Sequence, residues 1–240
     1  MASFRLVFLL LLCFCSAAFA ELITSYCSDN TTIASAQMSA NIDVVLRQLA
    51  KNTAKNDGFS IATYGQGKDT VYGLGQCRKD INSSACSTCI HDAASYIRQS
   101  CYYENNGTDE RIYYDNCLLR YSDQKFFGIF DPSVVMNFYS SIKPRDQDFF
   151  RVQLETLMNF VISFAVMPQN KGFMKGSTAV SSSVDIYGIA QCTQDLSTSS
   201  CQTCLKTGFA NFDKLCRKQK TVGCRVQYGG CYLRYDTDPF

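Results

Sequence analysis

The apolar positions along the chain predict two amphipathic helices of similar length. The first lies between about Ser35 and Thr53, and the second ends at Pro168. In both segments the large apolar residues recur every three or four positions, as on one face of an α-helix. The apolar faces consist of Met38, Ile42, Val45, Leu46 and Leu49 in the first segment, and of Phe149, Val152, Leu157, Val161, Ile162 and Ala165 in the second.

A strand, another helix and a hairpin are predicted after each amphipathic helix. Ser84 in the first half and Ser199 in the second are predicted to cap a helix that contains a C-x-x-C pair. Residues 111–121 and 225–235 then alternate between apolar and polar side chains, which predicts a hairpin in each half. The simplest arrangement of these elements is α+β, with two helices packed on a small antiparallel sheet.

An internal repeat divides the chain into two homologous domains. The cysteine pattern C-x8-C-x2-C starts at Cys77 and again at Cys192, 115 residues later. Cys117-Leu-Leu-Arg-Tyr121 likewise recurs as Cys231-Tyr-Leu-Arg-Tyr235. Missing such a repeat would misassign the whole fold. We therefore predict a first domain at residues 21–135, a linker at 136–144 and a second domain at 145–240.

Residues 1–20 are a predicted secretory signal peptide. A weakly basic start, an apolar run from Leu6 to Phe14 and a small-residue end at Ala20 follow the order that such peptides show. A membrane anchor is the alternative, but the apolar run is shorter than the roughly 20 residues of a span. We expect a secreted, soluble protein with no membrane span. Three sequons predict N-glycosylation of its first half at Asn30, Asn82 and Asn106.

The cysteines are predicted to form structural disulfides. Loss of Cys13 and Cys15 with the signal peptide leaves 12 of the 14 cysteines. A redox role would need a C-x-x-C pair that no other cysteine ties down, and a zinc site would need reduced thiolates. An even number of cysteines in an oxidising compartment instead favours six disulfides, three for each domain.

The other side chains give little support for catalysis or for nucleic-acid binding. The net charge is +2, or +1 without Arg5, which provides no long-range field for nucleic acid. His91 is the only histidine, and Lys206 takes its place in the second domain. Asp109 and Glu110 are adjacent acids, and adjacent exposed acids are usually solvated rather than catalytic. We predict that the protein is not an enzyme and that it uses no cofactor and no metal.

The cysteine spacing together with the trailing Cys-x-x-Arg-Tyr resembles the plant ginkbilobin-homologous domain, also called the stress-antifungal or salt-stress-response domain. Two such domains behind a signal peptide are similar to the plant cysteine-rich repeat secretory proteins. The segment Gly223-Cys-Arg-Val226 is similar to one subgroup of that family. The resemblance covers essentially all of the chain after the signal peptide.

The resemblance also implies a disulfide pairing. The second domain departs from the family pattern, because nothing before its first helix matches Cys27. Cys216 therefore lacks its usual partner, and we infer that it pairs with the additional Cys224. The expected pairs are Cys27–Cys101, Cys77–Cys86, Cys89–Cys117, Cys192–Cys201, Cys204–Cys231 and Cys216–Cys224.

A ligand site is implied by the resemblance as well. The founding member binds mannose through an Asn, an Arg and a Glu, a set that can bracket vicinal hydroxyl groups. The matching residues of the first domain are Ser28, Arg111 and Ser122. The second domain offers Arg225 and Asp236, and its sequence shows no counterpart of the Asn. The candidate ligand-binding residues are therefore Arg111, Arg225 and Asp236.

Two other groups of basic residues have structural alternatives. Arg120 and Arg234 recur in Arg-Tyr pairs, and each is expected to pack over its neighbouring tyrosine. The basic residues between Lys206 and Arg234 either meet an anionic polymer or membrane surface or form a solvated face, and the solvated face is the more common case.

The resulting functional prediction is a secreted, non-enzymatic binding protein of the plant apoplast with a role in defence or stress. Its expected ligand is cell-wall or microbial carbohydrate. The alternative is a protein-interaction module that docks on the ectodomain of a receptor-like kinase, a cell-surface receptor, or on another family member. The sequence defines no oligomeric state.

Overall fold

The computed structural model describes residues 21–28, 33, 35–102, 107–133, 135–212, 214, 216 and 221–240. Within them, two units of the same architecture follow one another along the chain. The first contains strands β1 (Leu22–Cys27), β2 (Phe59–Tyr64), β3 (Val71–Cys77), β4 (Asp109–Tyr114) and β5 (Cys117–Ser122), with helices α1 (Ala36–Asn52) and α2 (Ser83–Tyr102). The second contains β6 (Val135–Tyr139), β7 (Phe173–Ala179), β8 (Asp185–Cys192), β9 (Cys224–Tyr228) and β10 (Cys231–Asp236), with α3 (Gln147–Ala165) and α4 (Thr198–Phe212).

Each unit is built around one five-stranded antiparallel sheet. The strand order is β1-β4-β5-β3-β2 in the first sheet and β6-β9-β10-β8-β7 in the second. Two helices cover one face of each sheet, and the buried apolar residues lie between helices and sheet. The predicted α+β fold of two helices on an antiparallel sheet, present twice, is confirmed.

The linker prediction is corrected by strand β6. Most of this strand lies within residues 136–144, and it pairs with β9 as the edge strand of the second sheet. The second unit therefore begins before residue 145. The sequence did not predict β6, nor the other edge strands β1, β2 and β7, because most of their described side chains are half-buried or exposed and few large apolar residues of these strands are buried.

The helix starts follow the capping rules, with one correction. Ser35 caps α1, where its Oγ accepts a hydrogen bond from the N–H of Met38 at 3.0 Å. Helix α2 is capped by Asn82, whose Oδ1 accepts from the N–H of Ala85 at 2.8 Å. Ser197 caps α4 in the same way. The predicted caps Ser84 and Ser199 were wrong, because the cap must precede the first turn whose N–H groups it satisfies.

Glycines in the central strands let the first helix of each unit approach its sheet. A Cβ atom on Gly73 of β3 would lie 2.3 Å from the Cγ1 of Val45. A Cβ atom on Gly188 of β8 would lie 3.0 Å from the Cγ of Leu157. Val45 and Leu157 are therefore equivalent core residues, and they fix the correspondence between α1 and α3.

Disulfides connect the second helix of each unit to the sheet. The structure contains Cys77–Cys86 and Cys89–Cys117 in the first unit. It contains Cys192–Cys201, Cys204–Cys231 and Cys216–Cys224 in the second. These are pairs that the family resemblance and the inference from Cys224 lead one to expect. Cys27 is also disulfide-bonded, and the side chain of Cys101, its expected partner, lies outside the described residues.

The additional cysteine of the second unit, Cys224, places a disulfide on a different strand from the one that carries Cys27 in the first unit. Cys27 on β1 lies opposite Glu110 on β4, and in the second sheet Tyr139 on β6 lies opposite Cys224 on β9. Tyr139 thus occupies the place of Cys27, and Cys224 occupies the place of Glu110. As a result, edge strand β6 is attached to its sheet by backbone hydrogen bonds, while the disulfide holds the inner strand β9.

The two sheets face each other through the sides that the helices leave open. Gln76 donates a hydrogen bond to the backbone carbonyl of Cys192 and accepts one from the backbone N–H of Gln194, both at 2.8 Å. Gln191, the repeat equivalent of Gln76, makes the same pair of bonds to the first unit at 3.0 and 3.2 Å. The units therefore meet with approximate two-fold symmetry, and both glutamines are buried.

Candidate functional site

Four arginines stand in two cross-strand pairs on the faces that the sheets turn toward each other. Arg111 lies opposite Arg120 on β4 and β5, and Arg225 lies opposite Arg234 on β9 and β10. Like charges directly opposite each other on a sheet are destabilising. Each pair therefore needs carboxylates close by, and the two pairs obtain them in different ways.

In the second unit the carboxylate comes from the first. Asp115, in the turn between β4 and β5, places its Oδ1 2.8 Å from Nη1 of Arg234 and 3.2 Å from Nη1 of Arg225. Its Oδ2 lies 3.2 Å from Nη1 of Arg78 in its own unit. Asp115 therefore neutralises the arginine pair and joins the two units at the same time.

In the first unit the carboxylate is local. Asp109 binds Arg120 through both oxygens, at 3.0 and 2.8 Å, and lies 3.2 Å from Nη2 of Arg111. The turn of the second unit that faces this pair holds Gly229, and a Cβ atom there would lie 2.9 Å from Nη1 of Arg111. The first pair is thus packed closely against the backbone of the other unit.

Both of the predicted ligand-binding arginines are buried. Arg111 is 3% exposed and Arg225 is 7% exposed. Burial lowers the pKa of Arg225, and the guanidinium lies 4.6 Å from the centre of the Tyr232 ring. Burial also raises the pKa of Tyr232 to about 12, so this phenol stays neutral beside the cation. Both arginines contribute to the contact between the units, and Arg225 alone also reaches a cleft.

The stacking expected for the other two arginines is corrected. Arg120 and Arg234 do not stack on their neighbouring tyrosines. The Arg120 guanidinium lies 3.9 Å from the centre of the Phe126 ring, and that of Arg234 lies 4.4 Å from the centre of the Phe240 ring. Side chains of consecutive strand residues point to opposite faces, so Arg and the next Tyr cannot share a face.

A cleft of about 380 Å³ opens between the start of β1 and strands β6, β9 and β10. Arg225 and Asp236, two of the three predicted ligand-binding residues, both line it, together with Arg234. Arg111 lies in the other arginine pair and does not line this cleft. The aromatic rings of Phe138 and Tyr139 border it and are 37% and 50% exposed.

Ser140 is a cleft residue that sequence reasoning missed. It follows Tyr139 as Ser28 follows Cys27, so it is the structural counterpart of Ser28, which the family resemblance matched to the Asn of the expected sugar site. Its N–H donates to the carbonyl of Gly223 at 2.8 Å, which fixes the backbone at the rim of the cleft. The correspondence could not be read from the sequence, because the second domain lacks the cysteine that marks it.

The remaining candidate positions are placed as follows. His91 and Lys206 are both exposed on the second helix of their units. Asp109 forms a salt bridge with Arg120 and Glu110 is fully buried, so the two acids do not form a solvent-accessible carboxylate pair. The sequon residue Asn82 is exposed, while Asn30, Asn106 and the basic residues 217, 218 and 220 lie outside the described part of the chain.

The described residues contain neither a metal-binding cluster nor a membrane-spanning helix. They contain no cluster of three or more histidine, cysteine or acidic side chains arranged to hold a metal ion. None of the helices described is both long enough and apolar enough to cross a bilayer.

Comparison with protein families and curated sequences gives a consistent result. The salt stress response/antifungal family matches residues 26–124 and 139–238. The chain is 41% identical over 238 residues to cysteine-rich repeat secretory protein 55 of Arabidopsis thaliana, covering 97% of this chain and 88% of that protein. It is 31% identical over 213 residues to an antimicrobial ginkbilobin-2-like protein of Castanea crenata, covering 89% and 86%.

Receptor ectodomains have the same fold. The crystal structure of the tandem DUF26 ectodomain of the Arabidopsis thaliana cysteine-rich receptor-like protein PDLP8 superimposes with a TM-score of 0.78 at 25% identity, covering 92% of this chain and all of that one. Cysteine-rich receptor-like protein kinase 19 of Arabidopsis thaliana is 32% identical over 224 residues, which cover 89% of this chain and 33% of the kinase.

Proposed function

The chain belongs to the salt stress response/antifungal family, and from that premise we propose that it is a secreted, non-enzymatic protein that binds carbohydrate in the cleft of its second unit. The observation that supports this most is the convergence of Ser140, Arg225, Arg234 and Asp236 beside the exposed ring of Tyr139. The site combines the hydrogen-bonding groups and the apolar surface that sugars need.

The chemistry of the cleft suits a sugar ring. A carboxylate and a guanidinium fork bind adjacent hydroxyl groups, because one accepts and the other donates in a plane. Asp236 and Arg234 lie 3.5 Å apart, with side chains that are 25% and 21% exposed. Both can therefore reach a ligand, while Arg225 supplies positive charge from beneath. The half-exposed ring of Tyr139 offers an apolar surface for the C–H face of a sugar.

The first unit is not proposed to bind a ligand in this way. Ser122 stands at the place of Asp236 and is 1% exposed, and Arg111 is covered by the second unit. The acidic partner of the first unit's arginines is Asp109. The second unit has Gly223 at the equivalent position, so it has no acid there. One sugar-binding site per chain is therefore expected.

A glycan array with the mature, oxidised protein tests the proposal, followed by titration of any bound mannose-containing or fungal-wall oligosaccharide. Asp236→Asn and Tyr139→Ala should each weaken binding at least tenfold. Asp238→Asn makes the same charge change two residues later, outside the cleft, and should leave the affinity unchanged. Equal affinity of Asp236→Asn and the wild-type protein would contradict the proposed site.

Docking on a receptor is the second candidate function. It is favoured by the kinase relative, in which the matched segment is one third of a larger protein. Under this alternative the glycan array stays silent and the protein instead captures a receptor-like kinase ectodomain from plant membranes. The two outcomes are distinct, so the same preparation decides between them.

A further inference from the structure

Helix α3 presents large apolar side chains to solvent. Phe149, Val152, Phe160 and Phe164 are 46%, 49%, 41% and 37% exposed. At 3.6 residues per turn they lie along one side of the helix, on a stripe about 22 Å long. The rings of Phe160 and Phe164 contact each other with centroids 4.5 Å apart. We call these four residues the α3 stripe.

The fold itself does not require the α3 stripe. Helix α1 of the first unit packs on its sheet in the same way, with Val45 at the place of Leu157. In that alignment the four stripe positions correspond to polar or small residues of α1, namely Gln37, Ala40, Gln48 and Asn52. One chain thus contains two versions of the same helix, and only the version in the second unit has an apolar outer face. Exposed apolar patches of this kind mark contact surfaces.

We propose that the α3 stripe is the contact surface of a homodimer, in which α3 packs antiparallel against α3 of a second copy. A two-fold axis near Thr156 would bring Val152 opposite Phe160 of the second copy and Phe149 opposite its Phe164 region. Each contact then occurs twice, as an isologous interface requires. The stripe can pair with itself because Phe149 and Val152 lie on one side of Thr156, and Phe160 and Phe164 lie on the other.

The charges on α3 favour a second copy in this orientation. Asp148, Arg151 and Glu155 lie in the first half of the helix, and residues 156–165 contain no charged side chain. In an antiparallel pair each charged half therefore meets an uncharged half, so no like charges are brought together. The antiparallel arrangement also places opposite ends of the two helix dipoles side by side, which is favourable.

The predicted glycans leave this surface open. All three sequons lie in the first unit, and the second contains none. A glycan on exposed Asn82 would be attached to the other unit. The unit that contains no sequon is thus the unit that has the α3 stripe.

The size of the stripe predicts a weak dimer. Its four side chains together expose roughly 300 Å² of apolar surface. Stable interfaces bury about 800 Å² on each partner, and smaller ones are transient. The flanking polar residues of α3 add some area, so we expect association in the micromolar range.

Sedimentation velocity of the mature protein, from about 1 to 200 µM, tests the dimer. The wild-type protein should shift from monomer to dimer across this range. The double variant Phe160→Gln/Phe164→Asn installs the residues that α1 has at the same positions, so the helix should fold as before. It should raise the dissociation constant at least tenfold. Ile61→Thr, a change of an equally exposed apolar residue on β2, should have no effect on association.

The outcomes separate this proposal from sugar binding. A wild-type protein that stays monomeric throughout would overturn the dimer, as would a double variant that dimerises like the wild type with an unchanged circular dichroism spectrum. The Phe160→Gln/Phe164→Asn variant does not touch the cleft, and it should bind any array ligand with wild-type intrinsic affinity. Failure of the sugar proposal therefore leaves this test intact.

Discussion

The buried glutamines between the two units offer the sharpest test of how the tandem is held together. In the variant Gln76→Leu, the side chain keeps a similar volume and loses both hydrogen bonds to the second unit. The carbonyl of Cys192 and the N–H of Gln194 then lose their partner at a site where Gln76 is only 2% exposed. An unsatisfied buried polar group costs about 1–3 kcal/mol.

The expected loss follows from the two groups together. Gln76→Leu should lower the free energy of unfolding by about 3 kcal/mol, since the added apolar burial of Leu offsets only part of two unsatisfied groups. For a protein of this length, each kcal/mol shifts the melting temperature by about 2–4 °C, so the midpoint should fall by roughly 6–12 °C. Gln191→Leu should behave alike, because its bonds to Cys77 and Lys79 repeat the arrangement.

The measurement is urea and thermal unfolding of the oxidised protein, followed by circular dichroism. Gln124→Leu is the control, since Gln124 is exposed and its replacement should change stability by less than about 0.5 kcal/mol. If Gln76→Leu were as stable as this control, the glutamines would not hold the units together and the reasoning would be refuted.

Two further predictions concern pH and the additional disulfide. Burial alone would raise the pKa of Asp80, but hydrogen bonds from Lys175 of the other unit and from Arg78 lower it below the usual value. Its stabilising effect should be complete above about pH 4 and lost as the pH falls through the folded-state pKa. The stability difference between wild type and Asp80→Asn should therefore shrink as the pH is lowered below about 4 in urea titrations. The variant Cys216→Ser/Cys224→Ser removes a disulfide with a sequence separation of 8 and should lower the free energy of unfolding by roughly 2.5 kcal/mol. The variant Cys204→Ser/Cys231→Ser removes one with a separation of 27 and should lower it by roughly 3.5 kcal/mol. Equal losses in denaturant unfolding would contradict the argument from loop length.

Much of the fold could be predicted because it is local or repeated. The helical stripe that starts near Ser35 ends within a residue of the observed α1, and the hairpins around Cys117 and Cys231 lie where alternation placed them. The edge strands were not predicted, since the side chains described for β6 are half-buried or exposed and show no regular apolar alternation. Its identification also revealed Ser140, which no motif marks.

The candidate site was predicted only in part. Arg225 and Asp236 do line one cleft, which their positions in the family motif suggested. Arg111 has the same motif position and is buried against the other unit beside Gly229. Equivalent residues of a repeat have the same place in their own fold, yet their surroundings differ once the two copies meet.

The sequence by itself determined the two-domain repeat and the helices, because apolar periodicity and cysteine spacing act within one unit. Only the tertiary structure decided which arginine pair borders an open cleft and which is packed against the other unit, because Asp115 and Gly229 stand at equivalent turns but face different arginine pairs. The contact between the units is made by polar side chains such as Gln76, whose partners lie more than 100 residues away. Such a contact depends on geometry across the interface, and no local pattern records it.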